Sequence, residues 1–477
     1  MCATCFCEAN NFPEKRTTSE EVVLFFNGQN ALGKISKVST INRKNILFAS
    51  ANHLSFAVVS WFIPEDTFMH ALVFRLIAFF LFGAIASQFA PASAAPEKVL
   101  TPGKKTAASD LAAAKPALTP AQEQAVIAAA QKQLKSFGGK QPIPGVYVAI
   151  YMPGKDPYLK SVGLADTKNK TPFESHDRFR IGSNTKTFVV TVLLQLQDEH
   201  LLKIDDPISK FDFGVKVPNG ENITIRQLAE MRSGLFEAYN TKQFQALHDD
   251  PNMKIDPNQM IRWGVEHKPL FGPGAQWNYS NTNYLILGRI IEVVTHDTVG
   301  NQIRKRLIEP LKLNETVFPD TVAMPKPYAH GYGLDKKGNW EDVSETVAPS
   351  ITWAAGNMIS TVPDMAQWVK AYVKGTTNSV ASQRERLHCL PIAPKTKMAF
   401  GLGIGDSAGW YGYTGGLPGY HTAAYYLPAK DITLIAFVTA QREKPFPGAA
   451  NVIVREIARI ITPNNVLFAD APSTEPH

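Results

Sequence analysis

The sequence predicts an α+β fold: one antiparallel sheet built from N- and C-terminal strands and flanked by helices, with a mostly helical insert from about 185 to 375. Three observations predict it. "GVYVAIYM" (145–152) is rich in β-branched and aromatic residues and stops at Pro153-Gly154, and "YLKSVGLAD" (158–166) follows as its hairpin partner. Towards the other end, "FGLGIG", "YHTAAYYLP" and "DITLIAFVTA" read as strands, the last two joined by the turn "PAKD" (428–431). Between these groups, long apolar runs alternate with Pro- and Gly-rich loops, which is the pattern of packed helices.

The chain begins with a stretch that does not fit this domain. "FMHALVFRLIAFFLFGAIASQFAPASAAPEKV" has a weakly basic front (His70, Arg75), an apolar run from Leu76 to Ala86 and the small-residue site Ala92-Ser93-Ala94. That is the layout of a secretory signal peptide (69–94) cleaved before Ala95. The run is shorter than the roughly 20 apolar residues that a transmembrane anchor needs. A periplasmic or secreted protein is therefore expected, with anchoring through residues 69–90 as the alternative. Because signal peptides start a chain, residues 1–68 read as an upstream extension that is not part of the mature protein. Cys2, Cys5 and Cys7 in that extension are spaced like metal ligands, but a zinc site needs a fourth. The remaining cysteine, Cys389, lies far away, so neither a metal site nor an internal disulfide is expected.

Residues 95–120 form an Ala/Pro/Lys linker with little to bury. A helical pattern runs from Ala121 to Phe137. A last amphipathic helix, "GAANVIVREIARII", puts Val452, Ile453, Ile457, Ile460 and Ile461 on one broad face. The domain is expected to span 121–462, with 463–477 as a tail. Its composition, 44% hydrophobic and 19% charged, is that of an ordinary globular protein. The net charge of +7 is spread over 477 residues without a basic block, so no nucleic-acid partner is expected.

"RIGSNTKTFVVTVLLQLQ" (180–197) carries the chemistry. Thr185, Thr187, Val189, Val190, Thr191 and Val192 favour a strand locally, but the run continues through "QLQDEH" and is too long for one. A buried helix is expected, with Ser183 as its N-cap. Lys186 then lies in the first turn, where the helix dipole disfavours a cation. Residues three apart share a face. A serine hydroxyl becomes a nucleophile when a base takes its proton. A lysine can be that base when burial and cationic surroundings penalise its charged form. The backbone N–H of Ser183 at the helix start would supply half of an oxyanion hole. Taken alone, the pair also fits a capped helix with an incidental lysine.

Two further stretches weigh against coincidence. Tyr279-Ser280-Asn281 sits in a loop leading into an apolar helix, and Thr414-Gly415-Gly416 lies next to a predicted strand. With Ser183-x-x-Lys186, these resemble the three motifs of the serine β-lactamase and penicillin-binding-protein superfamily. "ITIRQLAEMRSGL", "PGAQWNYSNTNYLILGRIIE", "AAGNMISTVPDMAQW" and "GGLPGY" resemble the flanks of those motifs. The Tyr-x-Asn form is similar to the class C β-lactamase branch, which also holds D-alanyl-D-alanine carboxypeptidases and related esterases.

The resemblance implies roles. Ser183 would be the nucleophile, Lys186 the base and Tyr279 the proton relay. Asn281 would bind the substrate's amide side chain, and the N–H groups of Ser183 and Gly416 would form the oxyanion hole. Tyr413, Thr414, Gly415 and Gly416 would line the substrate, with no metal and no cofactor. One position departs from the family: where Lys or His normally opens the third motif, this chain has Tyr413. That residue can donate a hydrogen bond but carries no charge at neutral pH, which puts recognition of a substrate carboxylate in question. The resemblance thus implies a secreted serine acyl-hydrolase, β-lactamase-like or D-alanyl-D-alanine carboxypeptidase-like. Its partner would be a D-Ala-terminated peptide, a β-lactam or an ester. Alternatives are an esterase or amidase of uncharged substrates and a non-catalytic cell-wall binding protein. An α/β-hydrolase elbow is excluded, because Ile181 and Thr185 stand where it needs glycine.

Overall fold

Eight strands form the sheet that organises the molecule. They are β1 (Gly145–Tyr151), β2 (Tyr158–Gly163), β3 (Leu390–Pro391), β4 (Met398–Gly401), β5 (Ile404–Ser407), β6 (Trp410–Leu417), β7 (Tyr420–Leu427) and β8 (Ile432–Val438). Their spatial order is β3-β4-β5-β6-β7-β8-β1-β2 with every neighbouring pair antiparallel. The two ends of the domain meet where β8 pairs with β1, from Thr433↔Tyr151 to Val438↔Val146. The computed structural model describes residues 115–247, 250–442 and 447–470, together with one antiparallel pair of short strands, Ser50–Ala51 and Leu54–Ser55. The chain divides into two units, Met1–Thr106, which contains that pair, and Ala107–His477, which contains everything that follows. Apart from the short pair, the proposed extension with Cys2, Cys5 and Cys7, the signal segment and the start of the linker lie outside the described residues.

The sheet is covered on both faces, so its central strands read as nearly continuous apolar runs rather than as alternating ones. Alternation survives in where the side chains go. Val146, Val148 and Ile150 of β1 point into one core, whereas Tyr147 and Ala149 point into the other. The first core is closed by α1 (Pro120–Gly138) and by a C-terminal helix, Ala449–Ile461. Thr119 opens α1 with a reciprocal capping box to Gln122. The second and larger core packs the other face against the helices between β2 and β3. These include α2 (Thr185–Asp198), α3 (Pro257–Val265), α4 (Asn281–Thr295), α5 (Pro349–Gly356) and α6 (Val362–Lys374). The C-terminal helix is α7; Val452, Ile453 and Ile457 of its expected face are buried, and Ile460 and Ile461 are half-buried.

The β-branched run after Ser183 is helical, as its length predicts. From Phe188 to Leu194 essentially no side-chain surface is left to solvent, and such burial overrides a weak local strand preference. Two strand expectations need correction. "FGLGIG" is not one strand: β4 and β5 form a hairpin that turns at Leu402-Gly403, where Gly403 takes φ +64°. Tyr413 to Gly416 do not lie beside a strand but within β6. Among the described residues no helix is long and apolar enough to cross a membrane.

Candidate active site

The site is assembled where α2 starts. Gly182, at φ +53°, opens a 3-10 turn, Gly182–Asn184, that leads directly into α2. The expected capping role of Ser183 is not realised. Asn184 holds the N-cap position with helical backbone angles and makes no side-chain cap bond. The turn itself satisfies helix-start donors, with Asn184 N–H donating to the Ile181 carbonyl and Thr185 N–H to that of Gly182. The hydroxyl of Ser183 is thereby left for side chains. Lys186 Nζ lies 2.9 Å from Ser183 Oγ, and the Tyr279 hydroxyl donates to the same oxygen at 2.8 Å.

Lys186 is fully buried. Its Nζ also donates to Asn281 Oδ1 at 2.7 Å and to the Ala355 carbonyl on α5 at 2.6 Å. It sits 5.1 Å from the ring centre of Tyr279 and 5.3 Å from that of Tyr284, close enough for cation–π attraction when it is charged. Tyr279 and Asn281 are brought in by α4: Ser280, in extended conformation, is its N-cap, and Asn281 is its first residue. The four side chains Ser183, Lys186, Tyr279 and Asn281 thus share one connected set of hydrogen bonds.

The third motif approaches through its backbone. β6 pairs with β5 only as far as Gly412↔Gly405. From Tyr413 onward, β6 has β7 on one side and the Gly182–Asn184 turn against its backbone on the other. The fit leaves no room for side chains. A Cβ on Gly415 would stand 2.0 Å from the Ile181 oxygen and 2.9 Å from Ser183 N, and one on Gly182 would stand 2.8 Å from Gly416 N. Asn184 Nδ2 donates to Thr422 Oγ1 on β7 at 2.8 Å, which ties the turn to the sheet. Thr414 turns away from the serine, its hydroxyl donating to the Thr422 carbonyl at 2.8 Å.

Tyr413 is only 4% exposed and meets Phe400 edge-on, with ring centres 5.7 Å apart. Its hydroxyl is buried without a well-formed hydrogen bond. Burial first, and then the neighbouring Tyr279 phenol, push its pKa well above the ordinary tyrosine value, so position 413 supplies no charge. Cys389 is no competing nucleophile, because burial pushes its thiol up to about 12.

Two contributors were not anticipated from the sequence. One is the Ala355 carbonyl, a backbone atom with no side-chain signature. The other is Glu237, two residues beyond the "ITIRQLAEMRSGL" flank. Its Oε2 accepts from Asn281 N at 2.5 Å and from Asn281 Nδ2 at 3.1 Å, and its Oε1 accepts from Tyr239 N at 2.9 Å. Burial raises the Glu237 carboxyl above its usual range, and the Tyr239 and Asn281 donors and the Lys186 charge pull it back. Among the described residues, no group of His, Cys, Asp and Glu could hold a metal ion.

Fold and site together define a serine hydrolase of the β-lactamase and penicillin-binding-protein superfamily. The chain belongs to the beta-lactamase family, whose model matches residues 125–459. Protein flp of Staphylococcus aureus (strain MW2) is 31% identical over 232 residues, covering 48% of this chain and 45% of flp, so the chain spans just under half of that relative. The putative penicillin-binding protein PbpX of Bacillus subtilis (strain 168) is 24% identical over 303 residues, 62% of this chain and 70% of PbpX. Among solved structures, a D-stereospecific amidohydrolase from Streptomyces sp. shares 31% identity with a TM-score of 0.61, covering 72% of this chain and 99% of that one. The D-amino acid amidase of Ochrobactrum anthropi SV3, complexed with L-phenylalanine amide, shares the fold at 22% identity and a TM-score of 0.62, over 72% and 97% of the two chains.

Proposed function

We propose that the protein hydrolyses amides or esters through an acyl-enzyme on Ser183, with Lys186 as base and Tyr279 as proton relay. The observation that carries this reading is the set of acceptors around Lys186 Nζ. A neutral amine has two N–H bonds and one lone pair. Asn281 Oδ1 and the Ala355 carbonyl can take the two hydrogens, which aims the lone pair at the Ser183 hydroxyl 2.9 Å away. In acylation, Ser183 Oγ would bond to the substrate carbonyl carbon and pass its proton to Lys186. Tyr279, hydrogen-bonded to the same oxygen, would hand a proton to the departing amine or alcohol as the old C–N or C–O bond breaks. The oxyanion would be held by the N–H groups of Ser183 and Gly416, whose backbones the glycine contacts bring together. Water would then enter by the reverse proton route and release the acid.

The substrate end follows from Tyr413. A carboxylate is held best by a charge-assisted hydrogen bond, and a buried neutral phenol offers none. Substrates whose carboxyl end is masked fit this site better, and the Streptomyces D-stereospecific amidohydrolase, at 31% identity, supports D-configured amides as the class. Export after cleavage before Ala95 belongs to the same reading; it rests on the signal-like segment 69–94 and is checked by the N-terminal peptide of exported protein. The test of substrate class compares kcat/KM for a D-amino-acid amide and an uncharged p-nitrophenyl ester with that for benzylpenicillin and a D-Ala-D-Ala peptide. Wild type should favour the first two substrates, which carry no carboxylate, by about one to two powers of ten. Tyr413→His and Tyr413→Lys should narrow the gap. A wild-type preference for the anionic substrates would instead establish the peptidase or β-lactamase reading that the likeness to PbpX favours.

A further inference from the structure

Asn281 touches both Lys186 and a carboxylate, and it can satisfy both in only one orientation. Lys186 Nζ and Glu237 Oε2 lie 2.7 Å and 3.1 Å from opposite ends of its amide. The Glu237 carboxyl accepts from the backbone and side chain of Asn281 on one oxygen and from Tyr239 N–H on the other. A group met this way is an ionised, acceptor-only carboxylate. It therefore demands the NH2 end of the Asn281 amide and turns the oxygen towards Lys186.

We infer that Glu237 is a positioning residue for acylation, holding the Asn281 amide so that the Lys186 lone pair stays on Ser183. The inference rests on Lys186 acting as base. Were the amide to rotate by half a turn, its NH2 would face the lysine nitrogen and donate to the lone pair. The base would then be occupied by an intramolecular hydrogen bond, with Ser183 unactivated and the fold unchanged. When Lys186 is neutral, an obligate acceptor behind Asn281 is what opposes that rotation. Glutamine in place of Glu237 would permit it, because its own amide can present either end.

The carboxylate also acts on charge. Lys186 is faced by Glu237 behind Asn281, by the phenols of Tyr279 and Tyr284, and by the neutral oxygens of Ser183, Asn281 and Ala355. Tyr239 lies behind Glu237, and Glu230 beyond Tyr284. The charges of Glu237 and Lys186 act on each other, and an anion favours the charged form of a neighbouring cation. Removing it eases deprotonation of the base even as it frees the amide to block it.

The experiment measures kcat/KM for an uncharged p-nitrophenyl ester against pH in wild type, Glu237→Gln and Glu237→Asp, with fluorophosphonate labelling of each and of Ser183→Ala. Glu237→Gln should lower the plateau about tenfold or more and move the acidic limb to lower pH by about half a unit or more. Loss of structure alone lowers a plateau without moving the limb. Glu237→Asp keeps an acceptor-only group and should retain more of the wild-type rate than Glu237→Gln. An unchanged plateau and limb in Glu237→Gln overturns the inference, and so does a lower rate for Asp than for Gln. If Glu237→Gln does not fold, the Asp variant decides, since a limb shifted as far as half a unit despite the retained charge overturns it. Labelling that persists in Ser183→Ala, or is absent from wild type, refutes the functional reading itself and is thereby told apart from failure of the Glu237 inference.

Discussion

Lys186 occupies a position that costs the fold: it lies in the first turn of a helix, is fully buried, and rests against two tyrosine rings. Burying an amine is tolerable only when its hydrogens are taken up, and the acceptors that do this are the ones that would aim its lone pair in the proposed mechanism. Tyr413 is the opposite case, a buried hydroxyl without a well-formed hydrogen bond. Tyr413→Phe should therefore leave the thermal midpoint unchanged or raise it slightly, because an apolar replacement removes an ill-satisfied group. A fall of several degrees would show that the hydroxyl is well bonded in the fold. If kcat/KM falls while the midpoint holds, the hydroxyl serves the reaction, through the neighbouring Tyr279 phenol or through the substrate. Ser183, Lys186, Tyr279 and Asn281 were legible in the sequence because they fall in short motifs that resemble those of a known family, and the fold brings the four together. Glu237 was not, because it lies outside those motifs and its contact with Asn281 is only geometric.

At the scale of elements, the decisive contact is β6 against the turn before α2. Gly415 and Gly182 let two backbones approach to a distance that any Cβ would prevent. Gly415→Ala should cost about 1–3 kcal/mol in stability through overpacking and should abolish acylation in the fraction that still folds. Urea unfolding and active-site labelling check the two effects separately. Full labelling in Gly415→Ala would mean that the third motif does not shape the site. The strand itself was hidden in the sequence. "WYGYTGGL" has three glycines in eight residues, which weakens any local strand signal, and it is held by β7 all along its length. α2 was legible despite its β-branched residues, because its apolar run exceeds a strand's length. The Ser183 cap was misread because a 3-10 turn and an N-cap share the same sequence signature.

Across the whole molecule, the sheet joins strands from both ends of the domain and is sealed by α1 and α7, a closure already foreshadowed by strand-like runs at the two ends. His421 stands at that seal. It pairs with Gly416 of β6, and its Nδ1 accepts from Ala450 N–H of α7 at 3.3 Å. Burial pushes its pKa down from 6.5 to about 4. The unfolded chain therefore takes up a proton that the folded one refuses, and stability falls as pH drops from about 6.5 to about 4. The loss is on the order of 2–3 kcal/mol, and protonation also removes the acceptor for Ala450. The drop in urea midpoint between pH 7 and pH 4.5 should be smaller in His421→Gln than in wild type; an equal drop would assign the acid sensitivity to other groups.

All of these features converge on one oxygen, Ser183 Oγ, and the most direct measurement follows that atom. Mature protein is treated with a fluorophosphonate, digested with trypsin and mapped by mass spectrometry. A single phosphonyl adduct should appear on the peptide spanning 181–186, on Ser183, and be absent from Ser183→Ala. An adduct on any other residue, or none under conditions where the folded protein is intact, would contradict the account at its centre.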